Sequence, residues 1–229
     1  YLLQDNVNND YQHMEVWPRQ NSMKTFYLGE LAEALSCDGG SILAAKTINS
    51  GSVSYIYDPE NPVPSRGGAN NFSQGVVEQG SDLCARSDVL SFESAKISED
   101  LTISGSIKIA INVASDAQDS AFSVKFQEKL AGGRILNIRD DITSLSFRND
   151  ALSRQNYEAS STVEVVFNLT PIKWTLQSGS TLRLDISSSN YPFYNVHPNV
   201  TQNWSTLEKG FSAKQTLFSG ELTIPVYEK

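Results

Sequence analysis

The fold of this chain is decided by the stretch Tyr57-Asp58-Pro59-Glu60-Asn61-Pro62-Val63-Pro64-Ser65-Arg66-Gly67-Gly68. Three prolines (Pro59, Pro62 and Pro64) fall within six residues, and proline both fixes φ and lacks a backbone N–H. The stretch therefore cannot be a helix or a central strand. The Gly67-Gly68 pair then supplies the backbone freedom for a turn with positive φ or for a close approach to another surface. We predict a rigid, extended arm, residues Tyr57–Gly68, that is held against another surface.

Further motifs follow this arm in a fixed order. They are Arg86-Ser87-Asp88-Val89-Leu90-Ser91-Phe92, Leu101-Thr102-Ile103-Ser104-Gly105, Ala114-Ser115-Asp116-Ala117-Gln118-Asp119-Ser120-Ala121-Phe122 and Leu184-Asp185-Ile186-Ser187-Ser188-Ser189-Asn190-Tyr191-Pro192-Phe193. Together with the Y-D-P-x-x-P-V-P-x-x-G-G pattern of the arm, they resemble the C-terminal domain of the X-prolyl dipeptidyl-peptidase and cocaine-esterase family of serine hydrolases. The α-amino-acid ester hydrolases share that domain. One departure is His197-Pro198-Asn199, where the family usually has Asn-Pro-Asn.

The resemblance implies a non-catalytic jelly-roll β-sandwich of the galactose-binding type, with no cofactor. In the family, an upstream α/β-hydrolase domain carries a Ser-Asp-His triad and cleaves ester or amide bonds. The sandwich packs on that domain, helps to wall its cleft and can support a homo-oligomer. The positions that carry over as candidates for contact with the catalytic domain are Tyr57, Asp58, Pro59, Pro62, Pro64, Gly67, Gly68, Arg86 and Asp88. We expect valine at Gly67 and Gly68 to loosen docking while the sandwich stays folded.

Length and charge narrow the classes of function. A chain of 229 residues is long enough for one domain spanning residues 1–229, which buries roughly 70% of its unfolded surface and needs no metal or disulfide. Residues 1–20 are expected to link it to a preceding domain. The formal net charge of −8 argues against binding nucleic acid or an anionic membrane, because both require clustered Lys and Arg.

The ends and the cysteines of the chain leave several questions open. No apolar run reaches the length of a transmembrane helix and no signal peptide is recognisable, so the compartment stays open. The opening Tyr1-Leu2-Leu3-Gln4 suggests a piece of a longer polypeptide. Cys37 and Cys84 lie in no metal-binding pattern, and the sequence does not decide whether they pair. Sequons begin at Asn71, Asn168, Asn199 and Asn203.

An apolar residue at every second position predicts the strands. The alternating apolar positions are Leu101, Ile103, Ile107, Ile109, Ile111 and Val113, then Phe122, Val124 and Phe126, then Val163, Val165 and Phe167, then Leu182, Leu184 and Ile186, and finally Leu222, Ile224 and Val226. Such runs predict sheets with one apolar and one polar face, and many short strands favour an all-β jelly-roll sandwich. Residues 52–57 are expected to form a strand, residues 30–35 a short helix, and residues 66–86 a long irregular loop.

Catalytic chemistry has little support within the chain. No G-x-S-x-G nucleophile elbow is present, and only His13 and His197 could act as a base. A triad of a serine, His197 and Asp185 is conceivable, but a lone loop histidine is more often structural. The acidic pairs Asp140-Asp141 and Asp116/Asp119 are interpreted as turn residues rather than as glycosidase carboxylates or Ca²⁺ ligands.

Two further features have competing interpretations. Arg86 and Asp88 flank the start of a strand, where they could pair with each other as a latch that fixes the preceding loop, or could contact the catalytic domain. The tryptophans Trp17, Trp174 and Trp204 could stack on sugars, although such residues more often anchor a core or an interface. The alternative to the accessory domain is therefore a free-standing carbohydrate- or ligand-binding module on the same architecture.

Overall fold

A computed structural model describes residues 1–19, 22–47, 51–68, 76–201 and 209–227, without the side chains of Ser81 and Cys84. Its strands are β1 (Leu2–Asp5), β2 (Asp10–His13), β3 (Ser22–Gly29), β4 (Gly40–Leu43), β5 (Val53–Tyr57), β6 (Val77–Glu78), β7 (Leu90–Ser94), β8 (Leu101–Gly105), β9 (Lys108–Ser115), β10 (Ala121–Lys129), β11 (Ile135–Ser144), β12 (Val163–Asn168), β13 (Ile172–Leu176), β14 (Thr181–Ser187) and β15 (Ala213–Tyr227). One helical turn, α1 (Ser81–Cys84), lies between β6 and β7, and 3₁₀ turns cover Leu31–Glu33 and Leu145–Phe147.

The chain folds as an all-β jelly-roll sandwich, as predicted. Thirteen of the described strands share one hydrogen-bonded sheet, in which the main path runs β12-β9-β15-β3-β4-β7-β14-β10-β11-β6. The 15-residue strand β15 is long enough to pair with several strands. Its first half pairs with β5 and its second half with β3 and β8, while β9 pairs along parts of both halves. All these strand pairs are antiparallel except β4 with β7. Strands β1 and β2 form a separate two-stranded sheet.

The core consists of the apolar faces that the alternation predicted. Ile109, Ile111, Val124, Phe126 and Leu184 are all fully buried in one continuous apolar cluster. The predicted strand over residues 52–57 is confirmed as β5.

The polar faces of the central strands are not solvated, contrary to the sequence-based expectation. Lys125 and Gln127 on β10 and Arg183 and Asp185 on β14 are all buried. Arg183 contacts Asp185, Gln127 and Glu93, so its charge is paired inside the protein. Long connections, including the arm, therefore cover the second face of this part of the sheet.

Local structure differs from prediction at two connections. The helix expected over residues 30–35 is wrong: only a 3₁₀ turn forms, after Glu30 with a φ of 49°. The segment 66–86 is more regular than expected, because β6 and α1 lie within it. Strands β4, β11 and β13 were not predicted. Cys37 is disulfide-bonded, and the side chain of Cys84 lies outside the described structure.

Candidate functional site

The arm Tyr57–Gly68 lies on the sandwich along the segment that follows β14. The Tyr191 N–H donates to the Val63 carbonyl at 2.9 Å, and the Ser65 N–H donates to the Tyr191 carbonyl at 2.6 Å. Pro64 and Tyr191 thereby form a short parallel bridge. The Val63 N–H donates to Ser189 Oγ at 2.8 Å. An arm with three prolines thus uses the few backbone groups it retains to bind the Ser189–Tyr191 segment.

The start of the arm is anchored by Tyr57 and shaped by Asp58. The Tyr57 side chain is fully buried, and its hydroxyl donates to the His197 carbonyl at 2.8 Å. Burial raises the pKa of this hydroxyl, which keeps it protonated as a donor. The Asp58 carboxylate accepts from the Glu60 N–H at 3.0 Å, and its carbonyl accepts from the Asn61 N–H at 3.0 Å. These bonds turn the chain between Pro59 and Pro62.

The end of the arm makes the close approach that the glycine pair predicted. Gly67 and Gly68 have φ values of 61° and 86° and are both buried. A Cβ atom on Gly68 would lie 2.4 Å from the Asp140 carboxylate of β11, which real Cβ atoms do not tolerate. The Arg66 carbonyl accepts from Gln79 Nε2 at 2.7 Å and from Asn137 Nδ2 at 2.8 Å. Valine at Gly68 would therefore displace the arm from the sandwich, so that substitution does not test docking alone.

A buried polar cluster lies beneath the arm. Lys125 is only 3% exposed and donates through Nζ to the Pro64 carbonyl at 3.1 Å. Burial lowers the pKa of Lys125, and the nearby carboxylates of Asp185 and Asp140 oppose that shift. Asn190 Nδ2 donates to the Asp140 carboxylate at 2.8 Å. The arm therefore supplies a hydrogen-bond acceptor to the buried ammonium group of Lys125.

Arg86 and Asp88 pair with each other and hold the middle of the arm. Arg86 Nε and one terminal nitrogen donate to the two Asp88 oxygens, each at 2.7 Å, in a bidentate pair. Arg86 Nη1 also donates to Asn61 Oδ1 at 3.2 Å, and Arg86 Nη2 donates to the Asn61 carbonyl. The structure thus brings Arg86, Asp88 and the arm together, in the geometry of a latch.

The outer side of the arm is exposed. Glu60, Asn61 and Pro192 are exposed, and the Tyr191 side chain is 49% exposed although its backbone binds the arm. Phe193 packs edge-on against Tyr194 beside them, with ring centroids 4.9 Å apart. We call the surface made by these residues and the half-buried prolines of the arm the arm surface. It is a rigid, partly aromatic surface whose inner side is fixed to the sandwich.

The candidate catalytic residues do not form a triad. Asp185 accepts from Ser91 and Arg183, whereas His197 Nε2 lies 3.6 Å from Asp119 Oδ2. His197 Nδ1 accepts from the Asn199 N–H at 3.0 Å, so the ring is held on both sides and buried. Burial would raise the pKa of Asp119, but the neighbouring His197 and the hydrogen bond from the Ser146 N–H outweigh it and lower that pKa. This arrangement of His197 and Asp119 fits a structural role for both residues.

The other candidates are similarly engaged. The Asp119 oxygen accepts from the N–H groups of Ser120 and Ser146, and the Asp116 oxygen accepts from the Lys214 N–H. Asp140 belongs to the cluster beneath the arm, and burial raises the pKa of Asp141. Among the residues described, no three His, Cys, Asp or Glu side chains come together as a metal site. Within the same ranges, no helix is long and apolar enough to cross a membrane.

Some of the tryptophans and N-glycosylation sequons lie at buried positions and others at exposed ones. The Trp174 Nε1–H donates to the buried Glu128 carboxylate at 2.9 Å, so the polar edge of the indole ring is hydrogen-bonded within the sandwich. Trp17 is half-buried beside a 590 Å³ cavity under the β1–β2 hairpin, and Trp204 lies outside the described residues. Asn168 is exposed, whereas Asn199 is buried and cannot receive a glycan in the folded state. Asn71 and Asn203 also lie outside the described residues.

Sequence reasoning missed the residues that receive the arm, namely Lys125, Asp140, Asn190 and Tyr191. A signal for Lys125 existed, because a lysine sits between Val124 and Phe126 in a strand whose neighbours are strongly apolar. Nothing in the sequence indicated that its side chain points toward the Pro64 carbonyl.

Comparison with known proteins assigns this architecture. Residues 1–221 match the family described as the X-Pro dipeptidyl-peptidase C-terminal non-catalytic domain. The chain belongs to this family. It is 28% identical over 189 residues to the cocaine esterase of Rhodococcus sp. (strain MB1 Bresler), a match that covers 80% of this chain and 33% of the esterase.

Two solved structures support the fold. An α-amino acid ester hydrolase superimposes with a TM-score of 0.83 at 20% identity, covering 99% of this chain and 41% of the hydrolase. An aminopeptidase from a marine sediment archaeon, a Thaumarchaeota archaeon, gives a TM-score of 0.84 at 17% identity and covers 99% of this chain and 40% of the aminopeptidase. The chain thus spans between a third and about two fifths of the length of these relatives.

Proposed function

We propose that this chain is the C-terminal accessory domain of a longer serine hydrolase that cleaves ester or amide bonds. In this proposal, residues 1–229 form one domain, residues 1–20 link it to an upstream α/β-hydrolase domain, and that domain supplies the nucleophile, base and acid. The family membership supports the proposal, as does the buried His197, whose Nε2 lies 3.6 Å from Asp119 Oδ2. Formation of a homo-oligomer stays a prediction from the resemblance.

The observation that carries the proposal is the arm surface. Three prolines, the Tyr191 backbone and the Arg86–Asp88 pair hold the arm, while Glu60 and Asn61 on its outer side remain exposed. A surface that is already ordered loses little conformational entropy on packing against another domain. This fits a wall for a neighbouring active-site cleft better than it fits a flexible linker.

Burial separates the nine candidate residues into two groups. Tyr57, Gly67, Gly68 and Asp88 are buried in this domain, so in the proposal they position the arm. The residues that remain partly accessible for contact with the catalytic domain are Asp58, Pro59, Pro62, Pro64 and Arg86. Tyr191 joins this second group as the most exposed aromatic side chain of the arm surface.

The test is Tyr191→Lys in the full-length hydrolase, with Leu152→Lys as the matched control. Leu152 is fully exposed and lies between strands β11 and β12, so both variants add one surface lysine. Because a displaced cleft wall misplaces the substrate, we expect Tyr191→Lys to lower kcat/KM for an aryl ester by about tenfold or more. We expect Leu152→Lys to match the wild type.

The contrary result would be equal kcat/KM values for the two variants, with unchanged thermal unfolding in both. That outcome would remove the arm surface from the contact with the catalytic domain. Tyr191→Phe, which retains the ring, is expected to keep wild-type activity.

A further inference from the structure

The β1–β2 hairpin is a second surface that the sandwich leaves uncovered. Among the described strands, β1 and β2 pair with each other and with no third strand, with Leu2 opposite His13 and Gln4 opposite Tyr11. Directly opposed residues of an antiparallel pair lie on the same face, and every second residue of a strand shares that face. The hairpin therefore has one face formed by Leu2, Gln4, Tyr11 and His13.

The opposite face of the hairpin rests on the sandwich through β1. There Leu3 is half-buried and Asp5 is buried, whereas Asp10 and Gln12 of β2 are exposed. The connection between the two strands is held by Asn6, whose Nδ2 donates to the Thr175 carbonyl at 2.9 Å and whose Oδ1 accepts from the Thr175 N–H at 2.7 Å. The Asn6 amide thus satisfies the backbone of β13 at its unpaired edge. This contact fixes which way the hairpin faces.

The outer face is exposed and carries no formal charge. Leu2 is 67% exposed and Tyr11 is 63% exposed, while Gln4 and His13 are also exposed. None of the four is Asp, Glu, Lys or Arg, on a chain whose formal net charge is −8. Interface centres are depleted in charge and enriched in tyrosine.

We propose that the outer face of the hairpin packs on the upstream hydrolase domain of the same polypeptide, as a docking surface separate from the arm surface. This inference rests on the proposed function. The matched relatives are more than twice the length of this chain, and the family is a C-terminal domain, so their additional chain lies largely before it. Residues 2–13 are thus the part of this domain nearest in sequence to that additional chain. A neutral face with an exposed leucine and tyrosine fits a neutral, apolar partner surface.

The test measures backbone hydrogen exchange in the full-length protein. Wild type is compared with the double variant Leu2→Lys/Tyr11→Lys and with the control Leu152→Lys. We expect the amides of residues 2–13 to be protected in the wild type and to exchange about tenfold faster or more in the double variant, the factor for losing one interface anchor. We expect the control to match the wild type. Unchanged exchange in β9 and β14 verifies that the sandwich remains folded.

Three results would overturn the inference. One is fast exchange of residues 2–13 in the wild type, and another is equal protection in the wild type and the double variant. The third is protection that rises with protein concentration, because a second copy of the chain would then cover the face. If Tyr191→Lys still lowers activity, only the hairpin contact fails. If neither substitution has an effect, the proposed function fails as well.

Discussion

The arm and the hairpin are both candidates for contact with another domain, yet they are held in opposite ways. The arm has no regular secondary structure after β5 but is bound at Val63, Pro64, Ser65 and Arg66 to distant parts of the sandwich. The hairpin has regular strands, but it is joined to the main sheet by the two side-chain hydrogen bonds that Asn6 makes with Thr175. Regular secondary structure is thus a poor guide to how firmly a segment is integrated. A better guide is whether the polar groups of the segment are hydrogen-bonded to the rest of the fold.

The largest effect is expected from removing the arm from its binding site. Gly68→Ala places a methyl group against the Asp140 carboxylate and requires a φ near 86° from a residue that avoids it. We expect a loss of about 3 kcal/mol in the free energy of unfolding. Gly132→Ala is the control, because its Cβ would meet open space, and it should change stability by no more than about 0.5 kcal/mol. Chemical denaturation measures both; equal stability of the two variants would contradict a tightly bound arm.

An intermediate effect is expected from the Arg86–Asp88 pair. The two side chains are only 19% and 11% exposed, so Arg86→Ala leaves Asp88 largely buried without its cation. We expect a loss of about 1–3 kcal/mol. Because both residues belong to one pair, the double variant Arg86→Ala/Asp88→Ala should lose less than the sum of the two single variants. Strict additivity in denaturant titrations would show that the Arg86 and Asp88 side chains do not stabilise each other.

The smallest effect is expected at the hairpin. Asn6→Ala removes both hydrogen bonds to Thr175, worth about 1 kcal/mol, and should raise hydrogen exchange in residues 2–13 without moving the main unfolding transition. Asn149 makes the same pair of bonds to Glu164 and Val166 at the edge of β12, so Asn149→Ala is the matched control. It should leave hairpin exchange unchanged. If Asn6→Ala lowers the midpoint of the main unfolding transition, the account is contradicted, because the hairpin would then unfold together with the core.

The sequence was informative where alternation and covalent geometry act locally. Strands such as β9 and β14 follow from their alternating residues, and the arm follows from its prolines and glycines. Strand β11 was missed because Asn137, Asp140 and Asp141 interrupt its alternation; Asn137 and Asp140 are polar residues buried beneath the arm. The helix predicted over residues 30–35 failed because Glu30 has a left-handed conformation and the chain turns after Glu33.

The arm could be recognised in advance, but its binding site could not. The proline pattern shows that the segment is extended and must be held, which is a local statement. Its partners Ser189 and Tyr191 lie more than a hundred residues later in the chain, and only the folded sheet brings them to Val63. For the same reason, the pairing of His197 with Asp119 rather than with Asp185 required the structure.

The measurement that tests the central claim most directly is labelling of the natural protein with a fluorophosphonate serine probe in an extract of its host, followed by a denaturing gel. An antibody to this domain identifies the band. The account predicts a band more than twice the 25.2 kDa of this chain that also carries the probe, since the relatives are that much longer. An unlabelled band of 25.2 kDa would contradict it and would favour a free-standing binding module.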